Sequence, residues 1–201
     1  RTELFTEIDK VFNLEVRLFE RIKHRIRPQI THEFITHTNQ DDLPRFDAID
    51  RIDETNKITY SLINTMTSKT KTAGPETERP ELASRQGSDR KTTVDYQYND
   101  FFRFEVQHSY DFEKSRQPFA PLFARLDVFP GKYVWIDADA SYSVYDNKFL
   151  SHNIRGSLSD NRGDELYVDY RYEQKSKETE VEEDIQSIYG KIKVQLIDSL
   201  S

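Results

Sequence analysis

Two aspartates, Asp137 and Asp139, are the closest thing in this sequence to a catalytic pair. On a strand they project from one face, and paired carboxylates do acid–base work when their surroundings push their pKa values apart. The same stripe continues through Ser141 and Ser143, with Arg125 and Arg155 on flanking segments. Opposite charges on neighbouring strands describe a solvated wall better than an acid–base site. His32 and His37 bracket Glu33 and mimic a zinc-protease motif. That motif needs histidines four apart on one helix face, whereas these are five apart in a strand-like segment and point to opposite faces. A Gly-rich phosphate loop and a nucleophile elbow are both missing from the sequence, and it contains no cysteine. The expectation is a protein that is not an enzyme, with no catalytic residue, no metal site and no cofactor.

The elements that carry these residues follow from a period of two. Ile26, Pro28, Ile30 and Phe34 alternate with Arg25, Arg27, Gln29, Thr31 and Glu33. Phe102, Phe104, Val106, Tyr110 and Phe112 alternate with Arg103, Glu105, Gln107, Ser109 and Asp111. Side chains switch faces at each strand residue, so the pattern predicts sheets with one apolar and one charged face. It recurs over 14–20, 24–35, 58–67, 93–112, 121–129, 133–145, 149–159, 165–173 and 188–197. That makes about nine strands, most of them long enough to cross a bilayer when tilted. Two stretches also draw as helical stripes: Leu4, Ile8, Val11, Phe12 running on to Leu18, Phe19 and Ile22, and Val181, Ile185, Ile188, Ile192.

Composition narrows the class. Of 201 residues only 35% are hydrophobic and 32% are charged, with 11 Tyr, 13 Phe and one Trp. A soluble domain this polar struggles to bury a core, whereas a barrel wall needs apolar residues only at alternate positions. Nowhere is there an uninterrupted apolar run long enough for a membrane helix. Without a basic, apolar leader in its first ten residues, the sequence is expected to start inside a mature protein. A net charge of −7 argues against nucleic acid as a partner.

Pro130-Gly131-Lys132, Asp146-Asn147-Lys148 and Asn161-Arg162-Gly163 supply tight turns. Residues 36–55 and 69–91 form the two long connections, and the second has the composition of a disordered segment. Strand parity puts 36–55 on the outer side and 69–91 on the periplasmic side, against the rule that periplasmic turns are short. Tyr96, Tyr98, Phe102, Phe104, Tyr110, Phe112, Tyr142, Tyr170 and Tyr172 fall on the apolar parity. Tyr110, Phe112, Tyr142, Tyr170 and Tyr172 gather near one rim, as an interfacial girdle requires. His32, His108 and His152 share the apolar parity and fit only near that interface or at a slipped register. Pro28 inside a strand predicts a bulge or weakened pairing, with the bulge favoured.

Several blocks resemble a known family. His24 to Ile35 (HRIRPQITHEFI), Gln40 to Asp47 (QDDLPRFD), Asp50-Arg51-Ile52 and Asn56 to Leu62 (NKITYSL) are similar to the C-terminal barrel of the LptD family of lipopolysaccharide-assembly proteins. Phe149 to Asn153 (FLSHN), Ser159 to Asp164 (SDNRGD) and Val168 to Tyr172 (VDYRY) look like its late barrel strands. The resemblance implies a Gram-negative outer-membrane translocon that receives lipopolysaccharide from periplasmic bridge proteins. It also implies an N-terminal jelly-roll that docks the bridge, a plug lipoprotein (LptE-like) inside the barrel, and a lateral seam between first and last strands. The jelly-roll and the first and last barrel strands have no counterpart here, so the whole chain, 1–201, is expected to be one partial barrel domain with no gate residue.

The expected fold is therefore all-β: an antiparallel up-and-down meander forming part of a transmembrane outer-membrane β-barrel. The polar wall expected to face the lumen is Arg27, Glu33, Arg103, Glu105, Arg125, Asp127, Asp137, Asp139, Arg155, Asp169 and Arg171. Its guanidinium groups suit acidic sugars and phosphates. In the 36–55 loop, the residues expected to contact the plug or close the barrel mouth are Gln40, Leu43, Pro44, Phe46, Asp47, Asp50, Arg51 and Ile52. The alternatives are a soluble or surface β-sandwich binding carbohydrate or protein, and a diffusion porin.

Overall fold

A computed structural model describes residues 1–16, 19–37, 39, 53–72, 95–175 and 183–196. These residues form one antiparallel sheet of ten strands and no helix. In chain order the strands are β1 (Thr2–Phe5), β2 (Ile8–Val16), β3 (Phe19–Ile35), β4 (Thr55–Thr72), β5 (Asp95–Asp111), β6 (Leu122–Gly131), β7 (Val134–Ser143), β8 (Lys148–Ser159), β9 (Glu165–Glu173) and β10 (Ile185–Lys193). From β3 onward each strand pairs with the next, which is a plain meander, while β1 and β2 both lie along the outer edge of β3. Both stretches that also draw as helices are strands here: Ile8 and Phe12 pair with Ile26 and Ile22, and Ile188 and Ile192 pair with Tyr170 and Leu166. The expected strand over 14–20 runs instead across the β2–β3 hairpin.

β1 and β2 are one strand interrupted. Both pair with β3 in the same register, Phe5 with Gln29 and Ile8 with Ile26. The gap falls opposite Pro28, whose carbonyl accepts the Thr6 N–H at 3.3 Å. A strand residue aims its N–H and C=O to the same side, so the Pro28 nitrogen also faces Thr6, and it has no hydrogen to return. Pairing of β3 with β4 runs through Pro28 and Leu62 with no shift. The bulge expected at Pro28 is thus replaced by a broken rung in the neighbouring strand.

A real bulge lies elsewhere. Between β4 and β5 the register shifts after Met66, which pairs with Phe102, while Thr67 pairs with Asp100. Phe101 is the extra residue, and it reverses parity for everything before it in β5. Tyr96 and Tyr98, expected on the apolar face, are therefore on the charged one. The Lys69 Nζ sits 3.6 Å from the Tyr96 ring centroid, and the Thr67 hydroxyl donates to Asp100 at 2.5 Å. A second shift between β7 and β8 brings the odd-numbered Phe149 onto the apolar face against Tyr142, ring centroids 5.3 Å apart.

β3, β4 and β5 have 17, 18 and 17 residues, well beyond the about 9–11 that a tilted strand needs to cross a bilayer. The surplus is not apolar. On β4 the mainly apolar face carries Ile58, Tyr60, Leu62, Asn64 and Met66, then turns to Ser68 and Thr70 past the bulge. β4 also runs to Thr72, so the connection to β5 begins at 73 rather than 69. Connections 36–54, 112–121, 144–147 and 174–184 share the end of the sheet at Ile35, and 17–18, 73–94, 132–133 and 160–164 share the end at Gly131.

The sheet is a single layer. Among the described residues no apolar side chain is buried, and Ile154 in the middle of β8 and Leu158 near its end are 51% and 54% exposed. A sheet hides its apolar face against a second layer or against a non-aqueous surrounding. These residues supply no second layer.

Candidate functional site

The eleven predicted wall residues share one face. The strand registers carry the odd positions of β3 through β4 to β5 after Phe101, and on to β9, on the same side. Four of them, Arg125, Asp127, Asp137 and Arg155, form one ion network across β6, β7 and β8, and most of the others make local contacts. Asp137, only 5% exposed, accepts from the Arg125 guanidinium at 3.2 Å and from Arg155 Nε at 3.0 Å. Arg125 turns its Nε to Asp127 at 3.3 Å, and Asp139 accepts from the Asn153 amide at 2.9 Å. Arg103 donates to Glu105 at 2.7 Å, Glu33 pairs with Lys57 at 3.1 Å, and Arg27 with Glu3 at 3.2 Å. Asp169 accepts from the Tyr167 hydroxyl at 3.4 Å, and Arg171 stands exposed. Asp137 and Asp139, offered as a carboxylate pair, each face a cationic or amide donor. This is the arrangement of a wall and not of an acid beside a base.

The predicted loop residues Gln40, Leu43, Pro44, Phe46, Asp47, Asp50, Arg51 and Ile52 lie outside the described residues, as does most of 69–91. Of the two motif histidines, His32 lies within β3, and His37 lies beyond its end beside Glu54 at 3.5 Å.

On the apolar face the aromatics collect toward the Ile35 end. Tyr110, Phe112 and Phe119 pack edge to face with centroids 5.0–5.1 Å apart. Phe119 is brought back over the sheet by an isolated bridge to Tyr110 and by its N–H donating to the Tyr145 hydroxyl at 2.8 Å. The three awkward histidines belong to this zone, at positions of normal register. His108 stacks on Phe119 at 5.2 Å and bonds the Tyr60 hydroxyl, His152 stacks on Tyr172 at 4.7 Å, and His32 bonds the Asn56 side chain at 3.0 Å. An imidazole held by aromatic and hydroxyl groups suits a zone that is part greasy and part wet.

Sequence reading missed a second aromatic group, on the charged face at the Gly131 end. Phe129, Trp135, Tyr167 and Tyr189 run in a row across β6, β7, β9 and β10, with successive ring centroids 6.4, 6.5 and 6.1 Å apart. Ser157 of β8 lies between Trp135 and Tyr167, small enough to let the two rings lie with their planes 9° apart. Their odd numbering was the available signal.

The turn at 160–164 shows how tightly that end is tied. Asp160 accepts the backbone N–H groups of Arg162 and Asp164, at 2.8 and 3.0 Å, and Gly163 takes a φ of +90° that disfavours any side chain. The N–H of Gln195, from beyond β10, donates to Asp164 at 2.7 Å. That bond, helped by Arg162, holds the Asp164 carboxyl below the usual aspartate range.

A single antiparallel layer with a bare apolar face, an ion-paired opposite face and strands of bilayer-crossing length defines the class of outer-membrane β-barrel walls. The family model described as LptD, LPS transport system D, matches residues 2–200. The chain belongs to the LptD family, whose members serve lipopolysaccharide transport at the Gram-negative outer membrane. No curated protein matches the chain.

Proposed function

We propose that this chain is a wall segment of a lipopolysaccharide translocon barrel, with the apolar face toward lipid and the charged face toward the lumen. The observation that carries the reading is the bare apolar face: no described apolar side chain is buried, yet the opposite face is fully elaborated with ion pairs. A soluble sandwich would need a second layer on that face. Hydrocarbon covers it without one.

In this reading the amphiphile passes its charged sugars along the wall from Arg27 to Arg171, while its acyl chains find the lipid side. Paired ions suit passage, because Arg27, Arg103, Arg125 and Arg155 each already have a carboxylate neighbour and hold an anionic headgroup only weakly. The Ile35 end is the outer one. Its connections are mostly long, its apolar face carries the aromatic girdle, and loop 36–54 there contacts a plug lipoprotein through Leu43, Pro44 and Phe46. Periplasmic bridge proteins deliver the lipid from the Gly131 side. No chemical step is involved.

Photo-crosslinking tests this in cells. A benzophenone amino acid at Asp127, Arg155 or Asp169 of the full-length protein should capture lipopolysaccharide, more so when export is active. Capture that is absent at all three sites, with the barrel assembled, would remove the transport role of this wall.

A further inference from the structure

The aromatic row on the charged face is out of character with its surroundings. Beside it on the same face lie paired ions, Arg155 with Asp137 and Lys191 with Glu165 at 3.7 Å. Aromatic rings on a lipid-facing surface need no explanation, but these four face away from it. The Arg155 guanidinium carbon lies 6.0 Å from the Trp135 ring, and Asp169 takes the Tyr167 hydroxyl, so the rings are interleaved with donors and acceptors. Tyr189 is 59% exposed and Phe129 is 36% exposed, so the row is open rather than packed under other groups.

We propose that Phe129, Trp135, Tyr167 and Tyr189 form a saccharide track at the Gly131 end of the wall. A pyranose presents C–H bonds on its flat faces and hydroxyls around its rim. The C–H faces carry partial positive charge and suit the negative faces of aromatic rings. The rim needs donors and acceptors side by side, and Arg155, Asp169 and Lys191 provide them. The local ions are balanced, which favours a neutral, hydroxyl-rich ligand over a strongly charged one. A row of evenly spaced rings lets an oligosaccharide move from one to the next without a deep pocket. The proposal rests on the reading that this face lines the lumen, and it adds that the sugar portion of the cargo is bound by stacking near the entrance.

The test uses the full-length barrel with its plug partner in detergent, and two probes: maltohexaose and de-acylated core oligosaccharide. Saturation-transfer NMR reads sugar C–H protons lying against rings. Trp135→Leu combined with Tyr167→Leu should weaken binding about tenfold, as expected for losing two stacking contacts. Tyr189→Leu, at an exposed ring, should weaken it less and guards against misfolding of the double variant. Trp135→Phe should largely preserve binding, and Tyr170→Leu on the opposite face should leave it unchanged. Equal binding by wild type, the double variant and Tyr189→Leu overturns the track. So does loss of plug recovery without any sugar binding by the wild type, which makes the row a protein contact. Ser157→Cys separates the two levels of the argument. Labelling by a water-soluble thiol reagent keeps the lumen reading even if sugar fails to bind, whereas labelling only by a lipophilic reagent overturns both.

Discussion

At the scale of single residues, the account rests on which face a side chain occupies. Leu126 and Ile136 project from the apolar face at mid-height, and Asp139 projects from the charged one. Arg introduced at Leu126 should cost about 2–4 kcal/mol in folding from lipid if the site is near the bilayer midplane. Asp139→Asn should cost about 1 kcal/mol or less, since an amide still accepts from Asn153. Urea titration into vesicles measures both, and mild, equal effects would mean no hydrocarbon on either face. Asp137→Ala leaves Arg125 and Arg155 without their shared acceptor and should cost about 1–3 kcal/mol by the same measurement. Both arginines keep water access, which places the figure at the low end. Asp164 gives a pH signature. Its depressed pKa means the tether to Gln195 contributes fully above the ordinary aspartate range and is lost as pH falls through the lower folded value. Amide exchange at Gln195, corrected for intrinsic rate, should therefore accelerate only in strong acid.

At the scale of elements, Pro28 and Phe101 act in different ways. Pro28 removes one donor and breaks the edge strand opposite it without changing register, so Pro28→Val should restore the rung to Thr6. The expected gain is about 0.5–1.5 kcal/mol, read as slower hydrogen exchange across residues 2–12. Unchanged exchange there would mean the gap has another cause. Phe101 shifts the register and moves Tyr96 and Tyr98 across the sheet. This difference explains what was legible in the sequence. Alternation marked the strands from 24 onward and the face of each charged residue within its strand, and the short turns gave the antiparallel order. The eleven share a face because the registers between their strands keep odd positions together. Parity fails where one residue is inserted, and a bulge leaves no compositional mark in the run from Asp95 to Asp111. The stripes at both ends stayed open between helix and strand because β2 and β10 have nine residues each, and few apolar positions fit either period. The aromatic row escaped because its members sit on four different strands, so only pairing brings them together.

At the scale of the whole molecule, the described residues make a sheet waiting for surroundings: one face ionic and largely self-paired, the other apolar and bare, and both edges unpaired among those residues. Membership in the LptD family gives lipopolysaccharide transport in general, and the proposed path along the two faces follows from their contrast in polarity. The central claim is that the apolar face meets lipid and the charged face meets water. Single cysteines introduced one at a time into this segment of the full-length protein, which has none of its own, test it directly in native outer membranes, with the unsubstituted protein as the labelling control. Cysteine at Ile30, Leu126, Ile136 or Val168 should react with a lipophilic maleimide and resist a charged, water-soluble one. Cysteine at Arg27, Asp127, Asp137 or Asp169 should show the opposite preference. Reversed preferences, or equal reaction of both sets with the water-soluble reagent, would contradict the account.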